Sequence, residues 1–257
     1  MKDRPAASSL PVGTVSGAAG SVASMEVASS GGALTSSPPT ARPQLEELIR
    51  VSLGLPYVSS GKEGIETGNH YQSVSIGDAK TSGFRSDRSA FLNRVDFRGR
   101  KVLDLGSNLG ELSRSARARG ADVVDGFEYD PFFVEVAHLL NAYNFTTRVS
   151  FFQRDITDPK VYVGHYDIVM AFAVWTYVRP ILSSISRITE ALLLETHKLN
   201  GNLERDYTTP ISRFFPHTTV LGESDWGRTQ DPGGGRAVLL CAKTGAALEQ
   251  ALAPTAT

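Results

Sequence analysis

The run "KVLDLGSNLGELSRSARARG" at residues 101–120, followed by "DGFEYDP" at residues 125–131, decides the fold. "KVLDLG" is a short apolar stretch suited to a buried strand. "LGELSRSARARG" then sets Leu109, Leu112 and Ala116 at helical spacing, with Gly120 as the stop. A strand that runs through a glycine turn into a helix is the cradle of a doubly wound sheet, whose ligand lies beyond the carboxyl ends of the strands. Gly106 and Gly110 occupy that turn.

The glycines that are missing narrow the ligand. A dinucleotide fingerprint counted from Gly106 needs glycines at 108 and 111, where the chain has Asn108 and Glu111. Asn108 stands where a pyrophosphate needs close approach, and Glu111 puts a carboxylate where a phosphate would sit at the helix start. "SSGKEG" at residues 59–64 is no phosphate loop either, because Glu63 follows its lysine. The turn therefore suits a nucleoside without phosphates.

Acids recur at the strand ends. Asp104 closes the first strand, Glu128 the second and Asp155 the third, in "FFQRD". A carboxylate about 20 residues past the glycine turn is the expected partner of ribose hydroxyls, and Asp155 is placed to accept from an exocyclic amine. Three acids around one pocket favour a positively charged nucleoside. Asp104 has an alternative role in orienting neighbouring backbone amides. Asp155 has one in capping the segment after it, as does Asp158.

The alternation continues outward. "DPFFVEVAHLLNAYN" is a helix with Asp130 as N-cap, Pro131 at its first position, and Phe132, Phe133, Val136, Ala137 and Leu140 on its inner face. "RVSFFQRD", "YDIVMAFAV" and "ALLLETH" read as further strands, with a helix over "RPILSSISRITE" between the last two and a short one over "TPISRFF". "TTVLGES" and "RAVLLCAK" are neighbouring strands with no helix between them, an antiparallel hairpin on an otherwise parallel sheet.

"VLDLGSNLG", "GFEYD", "QRDI" and "YDIVMAF" together resemble the class I S-adenosylmethionine-dependent methyltransferases, over residues 94–243. The resemblance implies an α/β, Rossmann-like, doubly wound sheet of seven strands with an antiparallel last strand. It implies that Asp104, Gly106, Asn108 and Gly110 hold the methionine part of S-adenosylmethionine, Glu128 the ribose, and Asp155 with Ile156 the adenine, with Ser107 and Phe172 as further cofactor-binding residues. A second, shorter likeness covers "GFRSDRSAFLNRVDFRGRKVLDLG". It is similar to the approach to this motif in the branch that modifies the wobble uridine of tRNA by carboxymethyl transfer, and it suggests that "FRSDR" is a lid element.

Residues 1–41 are Ala, Ser, Gly, Pro and Thr with few large apolar side chains, and are expected to be a disordered tail. Residues 42–93 form an N-terminal helix and lid segment, the helix carrying Leu45, Leu48, Ile49 and Leu53 on one face. Residues 94–257 form the methyltransferase domain.

Tyr71, Arg85 and Arg88 in the lid, with Trp175 and Tyr177 after the fourth strand, are the expected acceptor-binding residues. Glu195 and His197 in "LETH" share a side by period two, and His197 is the candidate base, with Glu195 beside it; its alternative role is a polar edge histidine bonded to backbone. Arg114, Arg117 and Arg119 read as a solvated face that complements the helix dipole.

With 26 Lys and Arg against 27 Asp and Glu, the chain has no broad electrostatic footprint for nucleic acid or an anionic membrane. No run approaches a membrane span, and the first residues lack the apolar core of a secretory signal, so a cytoplasmic location is expected. The single cysteine, Cys241, excludes intramolecular disulfides and reads as a buried strand residue. His70, His138, His165 and His217 show no ligand spacing, so no metal is assigned.

The expected activity is methyl transfer to an oxygen or nitrogen of a small polar metabolite, in secondary metabolism, with a small-molecule acceptor and neither membrane nor nucleic acid as partner. Two alternatives stand beside it: modification of tRNA or other RNA, and cofactor binding without transfer. No oligomeric state follows from the sequence.

Overall fold

The computed structural model describes residues 41–53, 72, 74–76, 79–81, 88–197, 202–224 and 235–253. The chain divides into Met1–Ser36 and Ser37–Thr257, and all of the described residues belong to the second unit. Residues 1–40 of the expected tail, Tyr71 and Arg85 lie outside the described residues, and Ala41 belongs to the first helix.

Seven strands form one sheet: β3 (Lys101–Leu105), β4 (Val123–Glu128), β5 (Val149–Gln153), β6 (Tyr166–Ala171), β7 (Thr189–Glu195), β8 (His217–Ser224) and β9 (Arg236–Ala242). Their order is β5-β4-β3-β6-β7-β9-β8. β9, the last strand, is antiparallel to both of its neighbours and is inserted between β7 and β8, so the hairpin turns inward and leaves β8 at the edge. Ahead of them, β1 (Val74–Ile76) and β2 (Ala79–Thr81) form a separate antiparallel pair in a stretch whose glycines hide it from pattern reading.

Strand periodicity divides the core in two. Leu103, Leu105, Val169, Ala171, Leu192 and Leu194 point to one face, where they meet α5 (Trp175–Val178) and α6 (Leu182–Ile188). Val102, Val124, Ile168, Met170 and Leu193 point to the other, against α3 (Glu111–Ala118), α4 (Pro131–Tyr143) and the C-terminal α8 (Gly245–Ala251). A sheet covered on both faces needs apolar residues at successive positions, which is why "VLDL" and "DIVMA" read as runs and not as alternations.

The N-terminal helix α1 (Ala41–Ser52) packs Ile49, with Leu53 just past its end, against Val74, Ile76, Leu109, Val136, Leu140 and Tyr143. Leu48, expected inward, is 49% exposed. Asp130 caps α4 as expected, accepting from the Phe132 amide at 2.9 Å, whereas Phe132 itself faces out. Asp158 likewise caps the short helical turn Pro159–Val161 through the Lys160 amide. The helix α8 was not anticipated, although Thr244 marks its start by accepting from the Ala247 amide.

Candidate active site

The order reversal falls between β3 and β6, the point where an open α/β sheet forms its crevice. The turn after β3 is built from left-handed residues at every second position: Gly106 (φ 72), Asn108 (φ 50) and Gly110 (φ 78). Glycine adopts that region without cost and asparagine tolerates it better than most residues. A Cβ at Gly106 would lie 2.7 Å from Val174 Cγ1, and one at Gly110 would overlap the Phe151 ring. Asn108 is therefore a turn former as much as an obstacle to pyrophosphate.

Glu128, at the tip of β4, fastens this turn. Its Oε2 accepts from the Asn108 amide at 2.8 Å, and Oε1 accepts from the amides of Tyr129 (2.8 Å) and Asp130 (3.0 Å). A carboxylate offers about four acceptor sites. Three are filled by backbone, and the remaining one belongs to Oε2. Asp155, at the tip of β5, is exposed and receives the Thr157 amide and hydroxyl on Oδ1, bonds that hold its carboxyl below the usual range.

Between these tips runs a cleft of about 550 Å³ lined by Gly106, Asn108, Glu128 and Asp155, with Ile156 and Phe172 among its apolar walls. No Lys or Arg stands among its described lining residues, and the two carboxylates there favour positive charge. The left-handed Gly106, the acids and the apolar walls together fit a cationic nucleoside. Tyr129, Thr157, Ala173 and Val174 also line the cleft and were not singled out from sequence. Tyr129 was legible beside Glu128 in "GFEYD", but Ala173 (φ 58) carries no chemical signal.

Other expected site residues stand back from the cleft. Asp104 is 2% exposed and accepts from Ser113 Oγ at 2.6 Å, and burial, with Glu128 nearby, pushes its carboxyl up to about 6. It ties β3 to α3 through a side-chain hydroxyl. Ser107 is fully buried, with no hydrogen-bond partner for its Oγ among the described residues, and Gly110 is buried beneath Phe151.

Several acceptor-side expectations require correction. Arg88 does not face solvent: it is 2% exposed and forms a fork with Glu195, Nε to Oε1 at 3.1 Å and Nη2 to Oε2 at 2.5 Å. Glu195, fully buried, also accepts from Ser224 Oγ at 2.9 Å and lies 3.6 Å from Arg236 Nη1. It is a structural counter-ion, and its period-two relation to His197 does not bring it to the cleft. Trp175 belongs to the core, 5.1 Å from the Tyr207 ring, whereas Tyr177 does line the cleft.

His197 is half-buried, with Nε2 3.1 Å from the Ala173 carbonyl oxygen, so it holds the loop after β6. Of the three arginines of α3 and its end, Arg114 is not on a solvated face, while Arg117 and Arg119 are half-exposed. Arg114 donates to the Leu109 carbonyl, and burial lowers its guanidinium to about 10. Arg117 donates to Thr147 and Ala121, and Arg119 to Ser115 and Ser89 carbonyls. Among the described residues no group of His, Cys, Asp and Glu is arranged to hold a metal, and no helix is long and apolar enough to cross a membrane.

Comparison with known proteins accords with this geometry. A family model described as a methyltransferase domain matches residues 81–208. With that match, the motif and the sheet order, the chain belongs to the class I S-adenosylmethionine-dependent methyltransferases, and its cofactor is S-adenosylmethionine.

Among solved structures, the N-terminal domain of EvdMO1 in the presence of S-adenosylhomocysteine and D-fucose is similar at 17% identity and TM-score 0.54, over 78% of this chain and 96% of that one. A low-resolution structure of WbdD is similar at 19% identity and TM-score 0.55, over 74% of this chain. The match spans 42% of that WbdD chain. At these identities the likeness is one of fold. No curated protein sequence matches.

Proposed function

We propose that the protein transfers a methyl group from S-adenosylmethionine to an oxygen or nitrogen of a small polar molecule. The observation that carries this reading is the cleft itself, which at about 550 Å³ has the size of a small-molecule site and has no Lys or Arg among its described lining residues. Of the cations that an RNA-binding rim would use, Arg88 is sealed against Glu195 and Arg114 is buried on the Leu109 carbonyl. The near-neutral charge of the chain agrees.

S-adenosylmethionine, when bound, supplies a methyl on a sulfonium whose leaving group needs no proton. What falls to the protein is positioning, worth about 7–11 kcal/mol in favourable cases. Glu128, with one acceptor site left on Oε2, orients a ribose hydroxyl, Asp155 Oδ2 is available to an exocyclic amine, and Ile156 and Phe172 exclude water.

His197 is the base in this reading. A carbonyl only accepts, so a neutral ring bonded to Ala173 carries its proton on Nε2 and leaves Nδ1 to receive one. Such a base contributes about 10²- to 10⁴-fold.

Transfer of labelled methyl from S-adenosylmethionine to a library of sugars, alcohols, amines and carboxylates, run beside bulk tRNA, tests the proposal. Turnover with a small acceptor supports it. Salt-sensitive labelling of tRNA alone would replace it with the RNA reading, and tight cofactor binding with no turnover at all would leave a binding module.

A further inference from the structure

We infer that Gln72 is a positioning residue for the cofactor and that, through it, the N-terminal segment is a working part of the cofactor site. The helix after the glycine turn starts at Glu111 with Gly110 as its N-cap, and glycine has no side chain to accept from the first free amides. Gln72 fills that place from 39 residues away: its Oε1 accepts from the Glu111 amide at 3.1 Å. The same side chain donates from Nε2 to the Ser107 carbonyl at 3.1 Å. One amide, 3% exposed, thus bridges the two sides of Asn108, whose own amide is bound to Glu128.

The orientation of the Gln72 amide follows from its partners, since one is a donor only and the other an acceptor only. Apolar packing closes the same turn from the same segment, because Leu109 lies in one cluster with Ile49, Val74 and Ile76. The family match begins at residue 81, so Gln72 lies outside it. A turn clamped in this way keeps Gly106 and Asn108 at the cleft, and by linkage a ligand that orders the turn also tightens the segment.

Calorimetry with S-adenosylhomocysteine tests this on the full chain. Gln72→Met removes both hydrogen bonds at similar volume and is expected to raise Kd about tenfold, since two buried bonds are lost from a site that depends on the turn. Hydrogen exchange supplies the readout that plain destabilisation would not move. S-adenosylhomocysteine is expected to slow exchange at residues 74–76 and at Glu111 in the wild type, and at Glu111 far less in Gln72→Met.

An unchanged Kd in a folded Gln72→Met protein would overturn the inference. If that variant does not fold, identical wild-type exchange at residues 74–76 with and without ligand would overturn it. The inference rests on the cofactor site alone. A wild type that does not bind S-adenosylhomocysteine would remove the cofactor reading along with it.

Discussion

Glu128 is engaged before any ligand arrives, and this shapes what its loss should do. Its carboxylate joins the turn after β3 to the tip of β4, so Glu128→Ala removes both a ligand contact and the bond that shapes the cradle. Charge-assisted bonds contribute about 1.5–3 kcal/mol. Calorimetry should accordingly show cofactor affinity falling roughly 10- to 100-fold, and an unchanged Kd would move the ribose elsewhere. His197→Ala should lower turnover about 10²-fold or more with cofactor affinity nearly intact, and full turnover with the true acceptor would remove it as base.

Residue identity pointed to Gly106, Asn108, Glu128 and Asp155, which do line the cleft, because a turn glycine and strand-end acids are local signals; it did not show that Asp104 and Gly110 stand back from it. It did not reveal Gln72, whose partners lie 35 and 39 positions away, nor that Arg88 and Glu195, 107 positions apart, satisfy one another.

Elements were legible where one period ruled. The strands of the parallel half and helix α4 follow from apolar runs and from the Asp130, Pro131 start, and Asp130→Ala should cost about 1 kcal/mol in urea unfolding. The pair β1 and β2 was missed because three residues are too few for a pattern, and α8 because its small residues form no wide apolar stripe.

The short helix α2 (Arg88–Phe91) is held to the sheet by a buried ion pair. Glu195 keeps Ser224 and Arg236 when Arg88 is removed, so Arg88→Met should destabilise by about 1.5–3 kcal/mol through loss of the charge-assisted fork. Arg88→Met combined with Glu195→Met should cost clearly less than the sum of the two. Additive losses in that double-mutant cycle would show that the two residues do not act as a pair.

At the scale of the whole molecule, one buried acid makes stability depend on pH. Asp104 is raised from 3.8 to about 6 by burial, so between these values the folded chain holds a proton that the unfolded chain has released. Its contribution to stability is therefore full below about pH 4, declines as pH rises to about 6, and stays at the lower level above that. The loss is on the order of 3 kcal/mol. Asp104→Asn keeps an acceptor for Ser113 and should flatten this part of the stability profile in denaturant titrations from pH 4 to 7; an unaltered slope would assign it to other groups.

The doubly wound, mostly parallel sheet closed by one antiparallel hairpin was readable from the alternation of strands and helices. The insertion of β9 between β7 and β8 was not, because pairing between distant strands leaves no mark in either one.

The cleft at the tips of β3, β4, β5 and β6 is expected to hold S-adenosylmethionine by its nucleoside, and a crystal structure with S-adenosylhomocysteine tests this. The prediction is a ribose hydroxyl on Glu128 Oε2, with the adenine beside Ile156 and its amine toward Asp155. A ligand bound away from Glu128, or no ligand density in the cleft at saturating concentration, would contradict it.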